Sequence, residues 1–266
     1  MNTQQDSNFV VGIATSIIIF SSIIIFSSIS TDLPTIKITK IIDSEEKGNY
    51  QNNIFNYNDM EAFAQIEDRT PPSPPVVKHS KILDFQGANY ADVTNSTDLN
   101  LDSFTISLWF NSEMNVTGRD IAFLLNKGGF GTETLGYNLN YGMWLDNKEK
   151  INGGFESKTG EDYFVTSQGS YGDGHWHNAI LTFSERLHLL RLYVDGLEIA
   201  TNATLVGITP DNTGKQTVRF GANSLVEKGQ VNGNYTGKLD DIQVWDFAFT
   251  KPQVTNLFNT ESKMTR

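Results

Sequence analysis

The chain contains no cysteine, which excludes disulfides, thiolate metal centres and cysteine nucleophiles. An exported domain without disulfides must rely on its hydrophobic core or on bound ions. Positive charge is also scarce, with 20 Lys and Arg against 31 Asp and Glu, a net charge of −11. From residue 81 onward the acids outnumber the bases 22 to 15. A domain of that balance repels a phosphate backbone, so no nucleic-acid partner is expected. Hydrophobic residues make up 38%, below the roughly 45–50% of average globular chains, a reference that also counts glycine. Prolines number seven, and four of them crowd into residues 71–75.

Long apolar runs are rare as well, with one exception near the start. Phe9–Ile29 is 21 residues without a charge, and at the helical rise it spans roughly 30 Å, the thickness of a bilayer core. As an uncleaved signal anchor the segment has the right length. As a cleavable signal peptide it has small residues at Ser28 and Ser30, but a long apolar region and no preceding base. Either reading exports the remainder, as a single-pass cell-membrane protein or, if cleaved, as a secreted one. Residues 31–80 are polar with weak periodicity and end in Pro71-Pro72-Ser73-Pro74-Pro75. Such a run favours an extended polyproline II spacer. Residues 1–30 are thus read as an anchor or signal, and 31–80 as a disordered stalk.

From Lys81 the hydrophobic period becomes two. Phe104, Ile106, Leu108 and Phe110 share one strand face, and Thr105, Ser107 and Trp109 the other. The stretch from Leu135 to Leu145 alternates in the same way. Strands are also expected at Trp176–Phe183 and Leu187–Val194, with a tight turn through Asp195-Gly196 into Leu197–Ala200. Gln216–Gly221 and Lys238–Trp245 complete the set. One short helix is expected after Thr250, where Thr250 and Gln253 fit a capping box and Val254, Leu257 and Phe258 face inward. At least nine short strands imply an all-β, two-sheet antiparallel sandwich.

Four stretches in order carry a more specific signal. They are Leu83-Asp84-Phe85-Gln86-Gly87-Ala88-Asn89-Tyr90, the strand from Phe104 to Phe110, Gly174-His175-Trp176-His177-Asn178 leading to Leu192-Tyr193-Val194-Asp195-Gly196, and Gly237 to Trp245 followed by Phe249-Thr250. Together they resemble the LamG-like jelly rolls related to laminin G, pentraxin and concanavalin-type domains, over about residues 81–260, with 261–266 as a tail. The resemblance implies a concave sheet and adjacent first and last strands. It also implies a calcium ion held by the first acid of the final motif, Asp240. By alternation Asp240 shares a face with Ile242 and Val244, where a buried acid needs a partner. Calcium is one solution, Lys81, Arg219 or backbone N–H groups another; Asp92 and Asp98 are weaker contributors.

Catalysis finds little support. Related retaining β-glucanases carry a Glu-x-Asp-x-(x)-Glu run, which is absent here. Glu161-Asp162 and Asp240-Asp241 are adjacent pairs that point to opposite strand faces, whereas retaining glycosidases hold two carboxylates about 5–5.5 Å apart. Glu133, Glu149 and Glu156 are the acids to check for such a pair. His175 and His177 have metal-ligand spacing, but a structural role around Trp176 suits them better. Sugar binding calls for aromatics beside amides. Trp144 with Asn138 and Asn140, and Trp109 with its polar neighbours, meet that description. Four glycosylation sequons occur, at Asn95, Asn115, Asn202 and Asn234. The expected function is noncatalytic recognition of a glycan or a surface protein, with a structural envelope role as the alternative.

Overall fold

The computed structural model describes residues 82–93, 96–112, 121–130, 134–224 and 232–264. The apolar segment, the stalk, Lys81, Asn95, Asn115 and Glu133 lie outside the described residues. Among the described residues twelve strands form two antiparallel sheets of six. They are β1 (Leu83–Gln86), β2 (Ala91–Val93), β3 (Phe104–Asn111), β4 (Ile121–Lys127), β5 (Tyr141–Asp146) and β6 (Lys150–Glu156). β7 (Asp162–Ser170), β8 (Trp176–Ser184), β9 (Leu189–Val194), β10 (Leu197–Ala203), β11 (Val218–Phe220) and β12 (Thr236–Trp245) follow. The first sheet runs β1-β12-β3-β8-β9-β10 and the second β2-β11-β4-β5-β6-β7. The first and last strands pair, Leu83 opposite Leu239. Among the described residues no helix is long and apolar enough to cross a membrane.

Alternation builds the core between the sheets. Phe104, Ile106, Leu108 and Phe110 are completely buried against Tyr141, Met143, Leu145 and Phe155 of the facing sheet. The layers come close where β6 presents Gly153: a Cβ there would lie 2.7 Å from Leu181 Cδ1. At the open edges, Asn202 Nδ2 of β10 donates to the Phe164 carbonyl of β7 at 3.1 Å, which ties one sheet to the other.

The outer face of the first sheet is covered by the end of the chain. Trp245, Phe249, Val254 and Leu257 pack on Ile180 and Tyr193 in a second apolar cluster. The helix α1 (Lys251–Glu261) starts where the sequence indicates. Gln253 Oε1 accepts the Thr250 N–H at 2.7 Å, and Pro252 sits in the first turn. Thr105 explains why a polar residue tolerates complete burial here. Its hydroxyl donates to the Phe247 carbonyl at 2.8 Å and accepts the Phe249 N–H at 2.7 Å.

Two expected strands start later than alternation suggests. Residues 134–140 form a looped segment before β5, with Gly136 in the left-handed region at φ 85°. Asn140 clasps Leu101 through both backbone groups, at 3.0 and 3.1 Å, and the Glu156 and Asp211 carboxylates accept the N–H groups of Leu139 and Gly136 at 2.7 and 2.5 Å. These polar anchors override the hydrophobic period. β9 likewise begins at Leu189 because His188 turns at φ 52°. The Asp195-Gly196 turn forms as expected, with φ of 50° and 77°.

Candidate functional site

Neither tryptophan expected to carry a sugar is open to solvent. Trp109 is 6% exposed, covered by α1. Its ring stacks on Phe258 and its Nε1 donates to Glu261 Oε2 at 2.8 Å. Trp144 is also 6% exposed. Phe130 and Phe164 meet it edge-on at 4.9 and 5.1 Å, and Phe123 lies at 6.0 Å. Asn138 and Asn140 are buried as well, Asn138 donating to the Ser157 carbonyl at 3.2 Å and Asn140 held by Leu101. The expected platforms are therefore packing elements. Alternation assigns each to the face away from the core, but added layers cover both faces.

The aromatic cluster around Trp144 nonetheless borders an open cleft. Strand register puts Phe123 beside Trp144 on the outer face of the second sheet, and Trp144 beside Asn152. Partly buried Phe130 lies over this row, 5.4 Å from Phe123 and 5.3 Å from Phe164. The next row of the sheet is Asn126, Gly142 and Gly154, where a Cβ would meet Leu139 at 3.2 Å and Phe164 at 2.6 Å. A cleft of about 450 Å³ opens beside the cluster, lined by Ile121, Phe123, Phe130, Asn223, Asn232, Gly233 and Asn234. That volume lies within the range of about 300–1,000 Å³ usual for small-molecule sites.

The polar wall is a chain of amides. Asn126 Nδ2 donates to Asn223 Oδ1 at 3.1 Å, and Asn223 Nδ2 donates to Asn232 Oδ1 at 2.9 Å. Backbone bonds fasten this wall to the sheet, Asn223 N–H to the Asn232 carbonyl and Phe123 N–H to the Gly233 carbonyl. Gly233 is required by its left-handed φ of 61°, and a Cβ there would lie 2.6 Å from Phe123 Cδ2. Among the described residues lining the cleft none is titratable.

Sequence reasoning overlooked Phe123, Phe130, Asn223 and Asn232. The strand Ile121–Lys127 carries mixed alternation because β4 has an irregularity between Phe123 and Leu125. The two asparagines lie far from Phe130 in the chain. The run Asn232-Gly233-Asn234 was the available signal.

Asp240 is displaced from its expected face. A bulge between Asp240 and Gln243, with Asp241 at φ 46°, shifts the parity of β12, so that Asp240 stands opposite Trp109 on the outer face. There its Oδ1 accepts the Asp241 N–H at 2.9 Å. Asp92 is engaged by Arg219, at 2.7 and 2.8 Å, and Asp98 is exposed. Among the described residues no three His, Asp or Glu side chains converge as ligands, whereas calcium takes six to eight oxygens.

The remaining expected groups lie as follows in the fold. His177 Nδ1 meets Asp195 Oδ2 at 2.8 Å and its Nε2 lies 3.2 Å from Asp173 Oδ1. The hydrogen bond to Asp195 raises its pKa above the usual 6.5, against burial and aided by Asp173. His175 is exposed, also beside Asp173. Glu156 is buried against Leu139 N–H, and Glu149 occupies a turn at φ 61°. Of the described sequons, Asn202 uses its amide nitrogen on Phe164, and Asn234 lines the cleft.

Comparison with known proteins gives a consistent relationship. The family model for the concanavalin A-like lectin/glucanases superfamily matches residues 85–255. No curated protein matches. Among solved structures, the carbohydrate-binding module CBM40 of the Ruminococcus gnavus IT-sialidase superposes with a TM-score of 0.56 at 12% identity, over 68% of this chain and 97% of that one. The same module bound to α2,3 sialyllactose matches with a TM-score of 0.56 at 13% identity and the same coverage. The leech intramolecular trans-sialidase matches with a TM-score of 0.56 at 15% identity, over 71% of this chain but 28% of that enzyme. At such identities the likeness is one of fold.

Proposed function

Because the chain belongs to the concanavalin A-like lectin/glucanases superfamily, we propose that it is a noncatalytic carbohydrate-binding module whose site is the cleft between Phe130 and Asn223. The observation that carries this reading is the pairing of partly exposed Phe130, on a packed aromatic floor, with a wall of three asparagines. Flat apolar rings take the C–H face of a pyranose, while amides offer donors and acceptors to its hydroxyls. The fold likeness to a module solved with sialyllactose supports a glycan as the kind of partner.

The test is a glycan array probed with the full chain and with Phe130→Ala. Binding by the wild type and its loss in the variant, which should still melt cooperatively, is the expected result. Asn234 gives a second handle. An oligosaccharide attached at its sequon would occupy the same cleft as a ligand, so modified protein should bind less.

We place the domain outside the cell, tethered by Phe9–Ile29 through a Pro-rich stalk. The length and neutrality of that segment support the placement, and membrane fractionation with protease protection tests it. A protein-partner role has one observation in its favour: Leu205 and Val206 are 74% and 85% exposed on the β10–β11 connection. If that role holds, Leu205→Ser with Val206→Ser should abolish co-purification of an envelope protein and leave sugar binding intact.

A further inference from the structure

We infer that Asn232 is a site of spontaneous covalent modification, converting to aspartate and isoaspartate and so remaking the wall of the cleft. The chain holds two Asn-Gly pairs, Asn152-Gly153 and Asn232-Gly233. Glycine after asparagine leaves the next backbone nitrogen unshielded, because no Cβ stands beside it. That nitrogen attacks the asparagine Cγ, a new N–C bond closes a cyclic imide, and the Cγ–Nδ2 bond breaks. The side-chain nitrogen leaves as ammonia, carrying the proton lost by the backbone. Water then opens the ring at either carbonyl and gives aspartate or isoaspartate.

The fold treats the two pairs differently. Asn152 and Gly153 lie within β6, which is paired with β5 on one side and β7 on the other. Asn152 is 7% exposed. Its Nδ2 donates to the Lys150 carbonyl at 2.9 Å, and its Oδ1 accepts the Thr166 hydroxyl at 2.6 Å. Closing the imide there would break the ladder that satisfies these buried groups. Asn232 is exposed and stands outside the strands, so water reaches the ring and ammonia escapes. Asn223 Nδ2 donates to its Oδ1 at 2.9 Å, which polarises the very carbonyl that the Gly233 nitrogen attacks.

The product does not fit the wall. In isoaspartate the former side-chain carbonyl joins the main chain, lengthening it by one methylene, and the former main-chain carbonyl becomes a pendant carboxylate. The backbone here has no slack to absorb this. The Asn232 carbonyl accepts the Asn223 N–H at 3.0 Å, and the Gly233 carbonyl accepts the Phe123 N–H at 2.9 Å. A Cβ on Gly233 would lie 2.6 Å from Phe123 Cδ2. The extra methylene displaces Gly233 and frees the Phe123 N–H. Resting on the sugar-binding reading, the same displacement weakens the hold on a ligand.

The experiment incubates the full chain in mildly alkaline buffer, folded and in urea, followed by peptide mapping with isoaspartate-specific methyl labelling. Folded protein should convert at Asn232 at least about tenfold faster than at Asn152, and the two should react at similar rates in urea. Equal rates in the folded protein, or a folded Asn232 that stays intact while the unfolded one reacts, overturns the inference. Hydrogen exchange of the Phe123 amide should quicken in the converted protein and not in an aged Asn232→Gln variant. An unchanged Phe123 amide overturns the remaking of the wall. Converted protein that binds the best array sugar as tightly as fresh protein overturns the loss of binding and leaves the conversion, read by mapping, standing.

Discussion

His177 Nδ1 lies 2.8 Å from Asp195 Oδ2, which joins the two halves of the third sequence stretch that marks the family. Asp195 opens the β9–β10 turn, and its other oxygen accepts the Asn178 N–H at 2.9 Å. His177 also faces Asp173, which in turn touches His175, and it packs against the Phe110 and Tyr171 rings. Folding thus favours the protonated imidazole, so its pKa lies above 6.5. A raised basic pKa gives stability that is complete below the unfolded value of 6.5 and is lost as pH climbs through the folded one. Chemical denaturation from pH 6 upward should therefore show stability falling above 6.5, and His177→Gln should flatten that slope.

The lid on the first sheet makes a separate prediction. Glu261 is 2% exposed and accepts the indole N–H of Trp109 and the side-chain amide of Gln243. Glu261→Ala leaves both donors buried and should cost about 2–4 kcal/mol in urea unfolding. Phe258→Ala should cost about 2 kcal/mol and expose Trp109, shifting its fluorescence to longer wavelength.

Gly233→Ala examines the cleft without touching a polar contact. The left-handed φ disfavours any side chain by about 1 kcal/mol. The new methyl would also meet Phe123 Cδ2 at 2.6 Å. Sugar affinity should fall while the melting temperature drops by only a few degrees.

Removal of calcium should leave the domain unchanged. With Asp92 held by Arg219 and Asp240 moved to the outer face by the bulge, melting curves in EDTA and in millimolar calcium should coincide.

The sandwich was legible in the sequence because its strands alternate cleanly. Phe104 to Phe110 marks the core face of β3, and Asp195-Gly196 marks a turn that needs positive φ. The capping pair Thr250 and Gln253 located α1. What alternation could not show was a second layer on each sheet. It separates the faces of Trp109 and Trp144 from the core but is blind to Phe258 and Phe130, which arrive from distant positions to cover them. Nor could it show the bulge at Asp240–Gln243, where one irregular step reverses every later side chain. The cleft was hidden for the same reason, since it joins β4 to two loop asparagines about 100 residues further along the chain.

Calorimetric titration of the best array sugar into the full chain, the Phe130→Ala variant and the Asn223→Ala variant tests the central claim most directly. The cleft assignment predicts that both variants still fold cooperatively, at a lowered melting temperature, and bind at least about tenfold more weakly, the loss of one stacking or hydrogen-bonding partner. Undiminished affinity in both folded variants would place the ligand elsewhere on the domain and contradict the assignment.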